Sequence, residues 1–323
     1  MEVVRWGLIG AGDIARKRIA PAMLDLPNCE LVSVSRSRAD LAKQFADKFG
    51  APNSFADGRD QINQAEIDAV YIATPVFLHA EQTIAAANSG KHVLCEKPMA
   101  LNPGECGEMI AACRANNVRL GIAYYRRFYP AIRRVKQIIE SGEIGTVSIV
   151  QINAFEYLEM EPGDPRHWFL EKAKSGGGPM MDFGCHRIEM LTNLFGAPVS
   201  VVSSVSNKIF GREVEDTATA LMRFENGTCA SVTVTHAASD PQDTLHVFGS
   251  KGSIHIPVLN AGEMTIRIGG KVRHESHPPA ANFHQPLIED FANAVLQDRE
   301  PAVGGECGKE ISSLIEEIYA KGK

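Results

Sequence analysis

Gly7-Leu8-Ile9-Gly10-Ala11-Gly12-Asp13-Ile14-Ala15 decides how the N-terminal half of this chain reads. The apolar run Val4–Ile9 leads into it, and a helical pattern, Ala11–Leu26, leaves it. Strand, glycine turn and helix in that order are what a dinucleotide-binding G-x-G-x-x-A element requires. Gly10 allows the tight turn, Gly12 presents bare backbone to a pyrophosphate, and Ala15 lets the helix pack closely on the strand. The helix start then aims its N–H groups and positive dipole end at the phosphates. Gly10, Gly12, Asp13 and Ile14 are the expected contacts.

Outward from that turn the pattern repeats. Val4–Ile9, Glu30–Ser35, Asp68–Ala73, His92–Cys95 and Arg119–Ala123 read as buried strands. Ala11–Leu26, Ala39–Phe49, Leu78–Ser89 and Gly104–Asn116 read as the helices between them, with Asn102-Pro103 as a start signal for the last. Strands alternating with helices predict parallel pairing and right-handed crossovers, hence a doubly wound sheet.

The end of the second strand bears on the choice of cofactor. A carboxylate there would hold the ribose 2′-hydroxyl of NAD. The chain instead has Ser35-Arg36-Ser37-Arg38, with no carboxylate before Asp40. Hydroxyls and guanidinium forks suit a 2′-phosphate, so NADP(H) is favoured and NAD(H) remains compatible.

After about Tyr125 the grammar changes. Thr146–Tyr157 is one long strand, and strands dominate from Val199 to Arg273, with hairpin turns at Asn226-Gly227 and Lys251-Gly252. Helices at Asp182–Leu194, Gln285–Leu296 and Lys309–Ala320 frame them. The expected organisation is a dinucleotide domain over residues 1–124. An α+β domain over 125–323 follows, built on a large, open, mostly antiparallel sheet.

The 323 residues are 44% hydrophobic and 22% charged, ordinary values for a chain that buries a full core. A net charge of -6, without a basic block, argues against nucleic acid or an anionic membrane as partner. No apolar run reaches bilayer length, and the opening residues lack a signal-peptide pattern. Seven cysteines without a CxxC fit a reducing compartment, so a cytoplasmic protein is expected.

Several further segments resemble one family. They are Ala73-Thr74-Pro75 with His79, Gly90-Lys91-His92-Val93-Leu94-Cys95-Glu96-Lys97-Pro98, Arg127-Phe128-Tyr129-Pro130, Gly142-Glu143-Ile144-Gly145, and Gly176-Gly177-Gly178-Pro179-Met180-Met181-Asp182-Phe183-Gly184-Cys185-His186. Together they are similar to the glucose–fructose oxidoreductase and inositol dehydrogenase (Gfo/Idh/MocA) family. The resemblance implies an α/β protein: an N-terminal Rossmann domain, then a domain whose open sheet face supports a homodimer or homotetramer. It implies hydride transfer to or from sugars, polyols or cyclic alcohols. By the same resemblance Lys97, Asp182 and His186 are the catalytic residues, and Thr74, Pro75, His79, Glu96 and Lys97 line the cofactor.

That chemistry is consistent with the residue types. A carbinol giving up hydride also loses its hydroxyl proton, and imidazole is suited to accept it. A helix would place Asp182 and His186, spaced i,i+4, on one face, where the carboxylate can orient the ring. Lys97 can hydrogen-bond the reacting oxygen and stabilise developing alkoxide charge. The Lys97-Pro98 bond is one where a cis peptide is plausible. Tyr125 stands where many members have Asn. Tyr125, Arg127, Tyr157, Trp168 and Arg187 are substrate-facing candidates, the aromatic ones as walls for a sugar face. His274, His277 and His284 have no recognisable ligand spacing, and no metal is expected. Two other readings share the fold: a redox-assisted glycoside hydrolase that retains its dinucleotide, and a non-catalytic ligand-sensing regulator.

Overall fold

The computed structural model describes residues 2–161 and 163–322. They form two units, residues 2–125 with 281–312, and residues 126–280 with 313–322.

The first unit is built on a six-stranded parallel sheet in the order β3-β2-β1-β4-β5-β6. Its strands are β1 (Val4–Ile9), β2 (Cys29–Ser35), β3 (Asn53–Phe55), β4 (Ala69–Ile72), β5 (His92–Cys95) and β6 (Leu120–Ile122). Nearly every residue of β1, β4 and β5 is buried, as expected for parallel strands covered on both faces. The order reverses between β1 and β4, and the crevice outside the carboxyl ends of strands at such a point is where α/β sheets bind ligands.

Two elements here were not anticipated. β3 is a three-residue edge strand of mixed polarity, and the Gly58–Gln64 helix is set by an Asp57 cap whose carboxylate accepts from the Arg59 N–H. The helix after the glycine turn also departs from a regular α-helix. It passes through a π-turn, Ala15–Ile19, before the α-helical Ala20–Asp25.

The expected single boundary after residue 124 needs correction, because residues 281–312 return to the first unit. The Gln285–Leu296 helix buries Leu287, Ile288, Phe291 and Ala292, and the Phe291 ring meets that of Trp6 on β1 at 5.6 Å. An apolar helical face docks where it finds a complementary surface, whatever its place in the chain.

The second unit carries an eight-stranded sheet, β14-β13-β12-β11-β7-β10-β9-β8. The strands are β7 (Val147–Tyr157), β8 (Pro198–Ser206), β9 (Thr217–Phe224), β10 (Cys229–Thr235), β11 (Ala237–Gly249), β12 (Gly252–Ile256), β13 (Glu263–Ile268) and β14 (Lys271–Ser276). Its pairing is antiparallel except between β7 and β10. Alternation separates the faces: Val150, Ile152, Val232, Val234, Leu245 and Val247 are buried, while Ile149, Leu221 and Val202 on the opposite face stay about half exposed or more. The Pro130–Glu140 helix, unanticipated, starts on a proline at its first position and buries Ile132, Val135 and Ile138. No helix among the described residues is long and apolar enough to cross a membrane.

Candidate functional site

In the first unit the glycine turn is held from below by β2. The Ser35 carbonyl accepts from the Gly10 and Ala11 N–H groups at 3.0 and 2.9 Å. Gly10 has φ +92°, and a Cβ there would lie 2.7 Å from the Ala73 backbone carbon at the end of β4. Gly12 is different. A Cβ there would meet nothing nearer than the Gly10 oxygen at 3.9 Å, so the protein itself leaves the space above Gly12 open. That fits a group approaching from outside, as a pyrophosphate would. Arg36 lies beside this loop, its guanidinium donating to the Ala11 carbonyl at 3.2 Å. Arg38 turns away and pairs with Asp40 at 2.6 Å.

At the end of β5, Glu96 is almost wholly buried. Its carboxylate accepts from the Tyr71 hydroxyl at 2.8 Å and from the Lys97 N–H at 3.2 Å, and pairs with His284 Nε2 at 3.2 Å. Burial alone would push its pKa up, but the His284 hydrogen bond and charge, the Lys97 charge and the Tyr71 hydroxyl together hold it below the usual 4.5. The Lys97–Pro98 peptide that follows is cis. Tyr125 packs its ring 4.8 Å from that of His284.

The second unit places Asp182 in a π-turn, Met180–Gly184, and His186 in the first turn of the Cys185–Phe195 helix, where it is buried. The turn is anchored by Glu215, whose carboxylate accepts from the Gly178 and Met180 N–H groups and the Tyr319 hydroxyl. Asp182 Oδ2 lies 3.9 Å from Nε2 of a different histidine, His236, in the link between β10 and β11. Burial pushes the His236 pKa down to about 4, so the ring is neutral near pH 7.

Comparison with known proteins decides the family. Residues 4–124 match the family model described as "Oxidoreductase family, NAD-binding Rossmann fold", and residues 132–255 match the GFO/IDH/MocA C-terminal domain. The 1,5-anhydro-D-fructose reductase of Ensifer adhaerens is 31% identical over 94% of this chain and 92% of its own. The chain belongs to the GFO/IDH/MocA oxidoreductase family. Two solved GFO/IDH/MocA-like structures superpose on it with a TM-score of 0.90, each covering 99% of this chain and 97% of its own. They are an aldose-aldose oxidoreductase from Caulobacter crescentus complexed with glycerol, at 29% identity, and a levoglucosan dehydrogenase complexed with NADH and levoglucosan, at 27%. This GFO/IDH/MocA protein is therefore a nicotinamide-dependent dehydrogenase or reductase.

The expected contact residues have the following protein partners. Ser35 has its side chain buried and serves the loop through its carbonyl. Arg38 is committed to Asp40. His79 is 1% exposed, with one ring nitrogen 2.8 Å from the Thr74 carbonyl and the other 3.0 Å from that of Pro98, so it braces two loops. Arg127 pairs with the fully buried Glu189, and Arg187 with Asp243, where Arg126 also donates. Both are thus tied into ion pairs of the second unit's core. Asp182 lies in a π-turn and not in the regular helix that the i,i+4 argument assumed. Tyr157 is more than half exposed and donates to Glu159, and Trp168 stacks on Phe169 at 4.1 Å.

The sequence offered His284 only as a metal ligand, whereas the fold pairs it with Glu96. Its His284→Ala variant would leave the Glu96 carboxylate buried with one partner fewer, a change that costs roughly 3 kcal/mol. Adding Glu96→Gln should recover part of that loss in denaturant melts. Because Glu96 titrates below 4.5 in the folded state, its stabilisation is present above the unfolded value and lost as the pH falls through the folded one.

Proposed function

We propose that this chain transfers hydride between NADP(H) and a carbinol or carbonyl carbon of a sugar, polyol or cyclic alcohol. The observation that carries the reading is the open space over Gly12 at the point where the strand order reverses, with Arg36 beside it. The bound nicotinamide supplies hydride exchange, and the rest falls to the protein. Glu96, through its hydrogen bond from the Lys97 N–H, fixes the backbone from which Lys97 projects. Lys97 stabilises the developing alkoxide, and His186 takes the proton, with Asp182 as a further polar group of the site. Tyr125 packs beside His284 and offers its ring as a wall for a sugar face. The names of the three relatives described above, each an oxidoreductase named for a sugar, favour that substrate class.

Arg36 carries the cofactor preference. Arg36→Ala is expected to weaken NADP(H) by about tenfold or more while NAD(H) changes little, since only the 2′-phosphate requires the guanidinium. Equal losses for both dinucleotides, read by fluorescence titration, would remove the phosphate-clamp role. The substrate class is tested by a panel of aldoses, anhydrosugars, inositols and cyclic diols with both cofactors, followed by nicotinamide absorbance. Absence of turnover on every sugar or polyol, with turnover on another class, would reject the reading.

The half-exposed apolar residues Ile149, Leu221 and Val202 on the open sheet face favour self-association there, to a homodimer or homotetramer. A monomer in light scattering would refute that. All seven cysteines are free thiols, the state a reducing cytoplasm maintains, and we place the enzyme there.

A further inference from the structure

We propose that Glu156, Asp182 and His236 form a binding site for one divalent transition-metal ion of the zinc class. The fold brings the three together from separate elements. β7 and β10 run parallel with Phe155 opposite Thr235, so the next residues along, Glu156 and His236, lie side by side. Asp182 enters from the Met180–Gly184 π-turn. One donor atom from each residue lies within 4.8 Å of the other two. His236 Nε2 is 3.5 Å from Glu156 Oε1 and 3.9 Å from Asp182 Oδ2. Donors about 2.1 Å from a tetrahedral ion stand about 3.4 Å apart, close to the two distances measured from His236 Nε2.

The independent observation is the state of His236 itself. Its side chain is 3% exposed, and neither ring nitrogen has a hydrogen-bond partner among the described residues. Its backbone is clamped on both sides, the N–H donating to the Asp216 carbonyl and the carbonyl accepting from the Leu158 N–H. The ring is wedged edge-on against Phe183. Buried polar groups normally find a partner, and a ring held this firmly toward two carboxylates is placed to spend its lone pair on a cation. One imidazole and two carboxylates suit Zn²⁺ better than Mg²⁺, and three protein ligands leave a coordination position open. Glu156, about half exposed, gives the ion a way in from solvent.

The test needs no turnover, so it stands apart from the hydride-transfer reading even though Asp182 is common to both. Full-length protein is stripped with a chelator, dialysed and titrated with Zn²⁺ and Mg²⁺ by calorimetry, and with Co²⁺ by visible absorption. One Zn²⁺ per chain is expected, bound at least about tenfold tighter than Mg²⁺, with tetrahedral Co²⁺ bands. Glu156→Gln, at a half-exposed position that should fold normally, and His236→Ala should each weaken Zn²⁺ by at least about tenfold. His246→Ala, on the open sheet face, should leave it unchanged. The proposal is overturned if no Zn²⁺ binds, if Mg²⁺ binds as tightly, or if Glu156→Gln binds Zn²⁺ like wild type. It is overturned equally if His246→Ala is the variant that loses the ion. The triad would then be a plain imidazole–carboxylate contact.

Discussion

Lys97→Ala and His186→Ala are each expected to lower kcat by about a hundred- to ten-thousand-fold while the Kd for the dinucleotide stays within about threefold. The two losses should differ in kind. A proton acceptor leaves its signature in the pH profile, so His186→Ala should remove the acidic limb of kcat/KM that an imidazole titration imposes. Lys97→Ala should keep that limb and lower the plateau. Lys97→Arg restores the charge but with a wider, planar head group, and is expected to recover little. A purely structural role for either residue would lower stability or raise KM without reshaping the profile. Wild-type kcat in either alanine variant, or an unchanged profile in His186→Ala, would take these residues out of the chemistry.

The position of Lys97 also explains why Glu96 is kept charged and buried. Its carboxylate accepts the Lys97 N–H and lies close enough to the ammonium for that charge to help hold it ionised. His284 and Tyr71 complete its shell from opposite ends of the chain. A carboxylate satisfied in this way rigidifies the end of β5, and rigidity there sets the direction in which Lys97 leaves the sheet.

Most of the first unit was legible in the sequence for a simple reason. β1, β5 and the Ala39–Phe49 helix are contiguous, uniformly apolar or cleanly amphipathic, and bounded by turn residues, and the expected limits coincide with those observed. The Gln285–Leu296 helix was legible in the same way, but its destination was not. Periodicity shows that a face is apolar without showing which surface it covers. β3 escaped because three residues of mixed polarity carry no period. The Pro130–Glu140 helix had its signal, proline first and then Ile132, Val135 and Ile138, and that signal went unread.

The site was legible where a motif is local and obscure where partners are distant. Arg127 and Arg187 were substrate-facing candidates whose ion-pair partners no local pattern reveals. Their carboxylates lie 62 and 56 residues away. His284 and His236 are isolated histidines in the chain, and each gains meaning only from a carboxylate that the fold delivers. The π-turn at Asp182 likewise has no residue signature.

The two glycines of the turn make the sharpest remaining contrast, because the structure assigns them different reasons for lacking a side chain. Gly10→Ala forces a Cβ to within 2.7 Å of the β4 backbone at φ +92°, where neither atom set can yield cheaply. Left-handed strain of about 1–3 kcal/mol and overpacking of similar size should together cost roughly 2–6 kcal/mol of stability. Dinucleotide binding would fall with it. Gly12→Ala places its methyl in open space with the nearest atom at 3.9 Å, so denaturant melts should shift by no more than about 0.5 kcal/mol. Its cost appears only when a pyrophosphate approaches, as a loss of about tenfold or more in dinucleotide affinity, or about 1.4 kcal/mol. The fold itself requires Gly10, whereas it leaves room for a side chain at Gly12. A Gly12→Ala variant that bound NADP(H) and NAD(H) like wild type would mean that no phosphate comes near this turn.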